Sequence, residues 1–261
     1  MLRRNLGSVF AGGAYVFPGG SLDDADRDPA IWTHCRGRSD EEASQHLGID
    51  SGGLAFYVAG VRECFEEAGI LLAVTAAGRF VSLDEGEAER RFVEYRRGLN
   101  AGTERLLPIC ESEGLVLALD RVEYFSHWIT PIGAPRRFDT RFFAAVAPPA
   151  QSAVHDEGET IDSIWIEPAA ALARHRAGEL DLIFPTIKNL EAIARFDRAE
   201  ALLEAAARAS AIPAMLPRVS VEGEGMRILL PGDPGYAEAS ENAGALEGMP
   251  LPGRPGGPVH S

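Results

Sequence analysis

The 261-residue chain is predicted to fold as an α/β (α+β) protein, and three observations lead there. Residues 54–69 repeat apolar side chains at helical spacing. Residues 122–129, 138–146 and 161–166 carry the β-branched and aromatic runs of strands. A hydrophobic content of 46% at this length is enough to fill a core. In chain order, residues 14–17 read as a short β-type run closed by the Pro18-Gly19-Gly20 turn. Residues 21–51 are polar and interrupted by Pro29, and read as a long inserted loop with room for one helical turn. Helices are expected over 54–69, 85–98 and, shorter, 103–112. After the strands, Pro168 opens a helix to about residue 177 in the first-turn position that proline tolerates. Thr186 is expected to cap another helix to residue 196, and 198–207 adds further helix. Residues 216–230 suggest a hairpin around Gly223-Glu224-Gly225, and 237–261 read as a disordered Gly/Pro/Glu-rich tail.

Charge narrows the function. Lys and Arg number 25 against 39 Asp and Glu, a net charge of −14. Such a chain repels polyanions unless a local basic patch or a bound metal reverses the field, which argues against nucleic-acid packaging and polybasic membrane anchoring. Cys35, Cys64 and Cys110 form no CxxC pair, which excludes a disulfide scaffold and a cysteine zinc site and points to a reduced, cytoplasmic protein. No stretch approaches the roughly 18 uninterrupted apolar residues of a spanning helix. Met1-Leu2-Arg3-Arg4 and the apolar run after it superficially resemble an export signal, but the glycines and the following turn favour strand plus turn.

On a helical wheel Val58, Val61, Phe65 and Ala68 share one side and Glu63, Glu66 and Glu67 cluster nearly opposite. Like charges at these spacings cost about 0.2–0.5 kcal/mol per pair. Arg62 offsets part of that, and a hard divalent cation would offset more. The same pattern also fits a solvated acidic face in an acidic chain.

Arg62-Glu63-Cys64-Phe65-Glu66-Glu67-Ala68-Gly69-Ile70 matches R-E-U-x-E-E-x-G-U, with U apolar and Cys64 counted as such. This resembles the signature of the Nudix hydrolases, which cleave a diphosphate joining a nucleoside to another group. Phe17-Pro18-Gly19-Gly20 resembles the glycine turn of the same family, where a backbone carbonyl meets the metal. The resemblance covers about residues 1–195 and implies an α/β/α sandwich with a mixed β-sheet; the domain is set at residues 1–208, followed by a hairpin-like extension over 209–236 and the tail. It implies Mg²⁺ or Mn²⁺ held by Gly19, Glu63, Glu66 and Glu67, with Arg62 orienting a glutamate. The general base would come from the helix (Glu63, Glu66) or from Glu159 in the later acidic loop Asp156-Glu157-Gly158-Glu159, which otherwise reads as an exposed turn.

One departure stands out. In the compact pattern G-x5-E-x7-R-E the glycine lies 14 positions before the arginine, whereas Gly20 lies 42 before Arg62, so an insertion occupies about residues 21–53. Gly48 falls at the compact spacing, but Leu54 then stands at the glutamate position, so Gly48 is read as coincidental and the acid is sought among Asp23, Asp24 and Asp26. The split signature, with Trp128-Ile129-Thr130-Pro131 and Arg137-Phe138-Asp139-Thr140-Arg141-Phe142-Phe143, resembles the (acyl-)coenzyme A diphosphatase branch. A separate coenzyme A motif known upstream of the turn in another branch is not evident. Only 17 residues precede Pro18, so Met1 is expected inside or just after a strand whose upstream partner is absent.

By strand alternation Arg137, Asp139 and Arg141 share a face; Arg137 and Arg141 either meet substrate phosphates or pair with Asp139 and neighbouring acids. His127 reads as a packed histidine and Cys64 as apolar filling rather than a nucleophile. The expected partner is a small-molecule nucleotide diphosphate, with coenzyme A or acyl-coenzyme A leading. Alternatives are a nucleotide sugar, dinucleotide or ADP-ribose substrate, and a non-catalytic sensor of such conjugates. A homodimer stays open.

Overall fold

A computed structural model of the chain describes all residues except 8–10, 85, 133, 135, 157, 223–224 and 240–261. The first elements are β1 (Leu2–Arg4), β2 (Tyr15–Val16), α1 (Pro29–Trp32), β3 (Cys35–Arg36), α2 (Asp40–Leu47) and α3 (Gly53–Ala68). Then come β4 (Ala73–Thr75), α4 (Gly86–Asn100), α5 (Leu106–Glu113), β5 (Leu115–Ala118), β6 (Glu123–Ile129), β7 (Asp139–Ala144) and β8 (Thr160–Ser163). The chain continues through α6 (Pro168–Arg176), α7 (Phe184–Ile193), α8 (Ala199–Ala207), β9 (Ala214–Met215), β10 (Arg218–Glu222) and β11 (Gly225–Leu229). Helices and mixed sheets make this the α+β class the sequence predicts. Strand β5 pairs with β3 in parallel and with β4 antiparallel, while β1 lies between β2 and β8, antiparallel to both.

The chain forms two compact units: Met1–Tyr124 with Phe143–Ile166 and Phe196–Ala211, and Phe125–Phe142 with Glu167–Arg195 and Ile212–Ser261. The first is built around α3. Its apolar stripe is buried as the wheel predicts, with Val58, Val61, Phe65 and Ala68 covered along with Leu54 and Tyr57. Tyr57 packs on Phe143 with ring centroids 4.7 Å apart. Leu2 of β1 packs with Ala68 and Ile70 at the far end of the helix, which ties the first strand to α3. Helix α2 lies so close to the start of α3 that a side chain at Gly53 would overlap the Ser44 backbone. A glycine is therefore required there.

The insertion is not the loop expected over 21–51. It holds a 3₁₀ turn (Asp24–Arg27), α1, β3 and α2. Local capping explains it. Asp28 accepts a bond from the Ala30 amide just ahead of α1 at 2.9 Å, with Pro29 in the first helical turn. Ser39 and Glu42 form a reciprocal capping box that opens α2, and Gly48 closes it in the left-handed conformation. Gly48 is thus a helix stop, not part of a glycine turn at the site.

A second correction concerns Thr186. Helix α7 begins at Phe184 with Ile183 at the cap position and Pro185 in the first turn, leaving Thr186 buried inside the helix. The short strands β4 and β5 were not anticipated, because three- and four-residue apolar runs carry no legible period. In the second unit β6 pairs with β9 in parallel, and β10 and β11 form the expected hairpin from Arg218↔Leu229 to Glu222↔Gly225. Its turn residues Gly223 and Glu224, and 240–261 of the expected tail, lie outside the described residues. Residues 237–239 are held: Arg218 Nη1 donates to Ala237 O at 3.1 Å, and Ala239 is buried. No described helix is long and apolar enough to cross a membrane.

Candidate active site

Arg62 organises the polar face of α3. Its guanidinium makes a two-pronged contact with Asp26, Nε to Oδ1 at 3.0 Å and Nη2 to Oδ2 at 2.9 Å. Nη1 donates to Glu63 Oε1 at 2.9 Å and to Glu66 Oε2 at 3.0 Å, and Nη2 also reaches Ser21 O at 2.8 Å. Asp26 is 2% exposed and Arg62 6% exposed, so these are desolvated charges held in a fork geometry that only arginine offers. Of the three aspartates left open by the sequence, Asp26 is the one the insertion delivers to the helix. Its own position is fixed because Oδ2 accepts from the Asp23 amide at 2.8 Å, closing the 3₁₀ turn.

The glycine turn meets the same face. The Gly19 amide donates to Glu67 Oε2 at 2.9 Å, and the Glu63 carboxylate lies directly against Gly20. A side-chain carbon at Gly20 would stand 2.5 Å from Glu63 Oε1, so a larger residue there would displace the Glu63 carboxylate. Burial, with Glu66 and Asp26 nearby and against the pull of Arg62, pushes Glu63 up to about 7. Burial also pushes Glu67 up to about 7, with Glu63 and Glu159 adding repulsion and the Gly19 amide opposing it. Glu66 is raised as well, again chiefly by burial. The acidic face is therefore covered and electrostatically strained rather than solvated.

Two further side chains hold it, and neither was singled out from sequence. Arg96 on α4 donates from Nε to Glu66 O at 2.8 Å and from Nη2 to Glu67 O at 2.7 Å, and Asn100 Nδ2 reaches Glu66 O at 3.3 Å. They satisfy carbonyls of the last turn of α3 and place a positive charge at the negative end of its dipole. A charged helix such as α4 reads as solvent-facing, so no local signal marks Arg96. The acidic loop before β8 is shaped by Asp156, whose carboxylate accepts from the Glu159 and Thr160 amides at 2.9 and 2.8 Å. Asn5, just past β1, donates its amide to Glu159 O at 2.9 Å. Glu159 thus comes near Glu67 with an exposed side chain, while Glu157 lies outside the described residues.

Among the described residues no three acidic, histidine or cysteine side chains converge on one point in this conformation. Asp26 and Glu66 are turned to Arg62, as is one oxygen of Glu63. The donor chemistry still fits a hard divalent cation. Glu63 and Glu67 offer carboxylate oxygens whose mutual repulsion and burial favour any bound positive charge. The remaining predicted residues belong to the second unit. Arg141 Nη1 bonds Asp139 Oδ1 at 3.1 Å, Arg137 Nε donates to Thr130 O at 3.1 Å, and His127 is buried with Nε2 2.5 Å from Asp139 Oδ1. The pairing of Arg141 with Asp139 expected from alternation is present. Burial pushes the thiols of Cys35, Cys64 and Cys110 up to about 12, which for Cys64 agrees with its reading as apolar filling rather than a nucleophile.

A helix that holds glutamates beneath an arginine and against a glycine turn offers the oxygen donors that a metal-assisted hydrolase uses. Comparison with known proteins agrees. The profile of the NUDT19 Nudix domain matches residues 38–193, more than half of the chain, and the chain belongs to the Nudix hydrolases. Among its relatives is the human protein named acyl-coenzyme A diphosphatase NUDT19, 28% identical over 275 residues, covering 92% of this chain and 72% of that one. The chicken (Gallus gallus) protein of the same name is 28% identical over 287 residues, covering 93% and 74%. A crystal structure of a Nudix hydrolase from Alicyclobacillus acidocaldarius superposes with a TM-score of 0.64 at 26% identity, covering 78% of this chain and 86% of that one. Nudix hydrolases generally need a divalent metal.

Proposed function

We propose that this Nudix hydrolase cleaves the diphosphate of coenzyme A or acyl-coenzyme A, giving 3′,5′-ADP and (acyl-)phosphopantetheine. For the reaction, the carrying observation is the buried Glu63–Glu67 pair beside the glycine turn. For the substrate, the support is the name carried by relatives that align with more than nine-tenths of the chain. In this reading Glu63 and Glu67, with Glu66 and the Gly19 turn, hold Mg²⁺ or Mn²⁺, which when bound neutralises the diphosphate and acidifies water. Arg62 fixes Glu63 and Glu66 and is itself fixed by Asp26, so the helix carboxylates are pre-set for the reaction. Water attacks phosphorus, the bridging P–O bond breaks, and Glu159 takes the proton of the water. The thiols suit a reducing, cytoplasmic setting.

The test is a panel of coenzyme A, acyl-coenzyme A, ADP-ribose, nucleotide sugars and dinucleotides with Mg²⁺ or Mn²⁺, with products identified by mass. Release of 3′,5′-ADP with the highest kcat/KM for a coenzyme A species is expected. Preference for another conjugate would move the assignment, and binding without turnover across the panel would contradict hydrolysis.

A further inference from the structure

Strand β1 brings an arginine to this site that none of the motifs includes. Leu2 packs in one cluster with Ala68 of α3 and Ile70, Cys64 lies against that cluster, and two residues on, past a shift of register with β8, the charge of Arg4 acts on Glu67 of the same helix. Arg3, between them, bonds Gly13 O through Nε at 3.2 Å, and its guanidinium lies 6.0 Å from the Tyr15 ring centre. On its other edge β1 pairs with β8, Arg4 opposite Thr160, immediately after Glu159. Arg4 thus stands between the C-terminal turn of α3 and the acidic loop, and its charge is felt at Glu67.

The other arginines near α3 are spent. Arg62 is saturated by Asp26, Glu63, Glu66 and Ser21, and Arg96 by two helix carbonyls. The Arg4 Nε is buried with no hydrogen-bond partner, and among the described residues no ion pair includes Arg4. A desolvated, unanswered donor is costly. It becomes favourable when an anion arrives.

We propose that Arg4 is the residue that receives the substrate diphosphate, donating to non-bridging oxygens of the phosphate group beside Glu67 and Glu159. The inference rests on the hydrolase reading above for the identity of the bond cleaved, but not on coenzyme A as the substrate. The alternative is that Arg4 only moderates the charge of Glu67, a structural role that binding measurements separate.

Isothermal titration of inorganic pyrophosphate with Mg²⁺ present would be run on the wild-type chain, Arg4→Gln and Arg4→Met, with circular dichroism as a check on folding. The expected result is a roughly ten- to hundredfold weaker Kd in both variants, partly restored in Arg4→Lys. On whichever substrate the panel identifies, KM should rise more than kcat falls. A folded Gln or Met variant with wild-type pyrophosphate affinity overturns the proposal. Absence of coenzyme A turnover by the wild type would overturn the substrate assignment and leave the pyrophosphate result to decide Arg4.

Discussion

Helices α3 and α4 each carry three glutamates, with one arginine on α3 and four on α4, and both place an arginine within about one turn of a glutamate. On α4, Arg97 and Glu94 pair across three positions with side chains 71% and 69% exposed. On α3, Arg62 and Glu66 pair across four positions with side chains 7% and 15% exposed. The spacing rule is the same and the consequence is not. In water such a pair adds only a few tenths of a kcal/mol. Under the glycine turn and the insertion, the charges lose solvent, Arg62 must answer three carboxylates, and Glu67 is left to the Gly19 amide. Charge placed on a helix by sequence becomes a reactive site only where the fold removes its water.

The sharpest way to break this comparison is to remove the arginine from each helix. Arg62→Ala strands Asp26 and Glu63 in a buried site and should cost about 3–5 kcal/mol in urea unfolding, together with loss of hydrolysis. Asp26→Asn should approach it, while Asp23→Asn, which keeps the Asp26 pairing, should cost far less. Equal costs for the two aspartate variants would refute the assignment of Asp26.

A second effect follows from the raised carboxylates. Glu63 and Glu67 sit at about 7, against an ordinary value of 4.5, so the folded, metal-free chain holds their protons more tightly than the unfolded one. Stability contributed by the protonated forms is complete below about pH 4.5 and is lost as pH rises through 7, by up to about 3 kcal/mol per site. Thermal unfolding without metal should show that decline. Added Mg²⁺ or Mn²⁺ should reverse it, more strongly at pH 8 than at pH 6. A metal-free stability that rises across this window would contradict the electrostatic picture.

Smaller losses are expected from the clamp between the two helices. Arg96→Leu frees the Glu66 and Glu67 carbonyls and should cost about 1–3 kcal/mol, with a fall in kcat larger than any rise in KM. An unchanged kcat would reduce Arg96 to a packing role. At the bottom of the scale, Arg97→Ala on α4 should cost about 0–1 kcal/mol and leave turnover unchanged.

The parts of this site that lie on one helix were legible beforehand, and the parts assembled from distant segments were not. The apolar stripe Val58, Val61, Phe65 and Ala68 repeats with the helical period, so α3 and its acidic side follow from spacing alone. Asp26 is one of three neighbouring aspartates and meets Arg62 36 positions later, a pairing fixed by a tertiary close approach that no local pattern encodes. The insertion shows a different failure. Its Ser39–Glu42 box and Asp28-Pro29 start are local signals, yet they were outweighed by a polar composition with too few apolar residues to register as helical. Arg4 and Arg96 lie in segments that read respectively as a turn-linked strand end and a solvated helix, and only the packing of β1 and α4 on α3 reveals what they face.

The central claim is that α3 carries its buried glutamates for a metal, at a cost in metal-free stability. Thermal unfolding of the wild type and Glu67→Gln at pH 8, with and without Mn²⁺, tests it directly. Without metal the variant should be the more stable of the two, by up to about 3 kcal/mol, because one buried charge is gone. With Mn²⁺ the wild type should gain stability and the variant little, while turnover in the variant falls at least about a hundredfold. A variant that is less stable without metal, gains as much from Mn²⁺ as the wild type and keeps wild-type turnover would contradict the account.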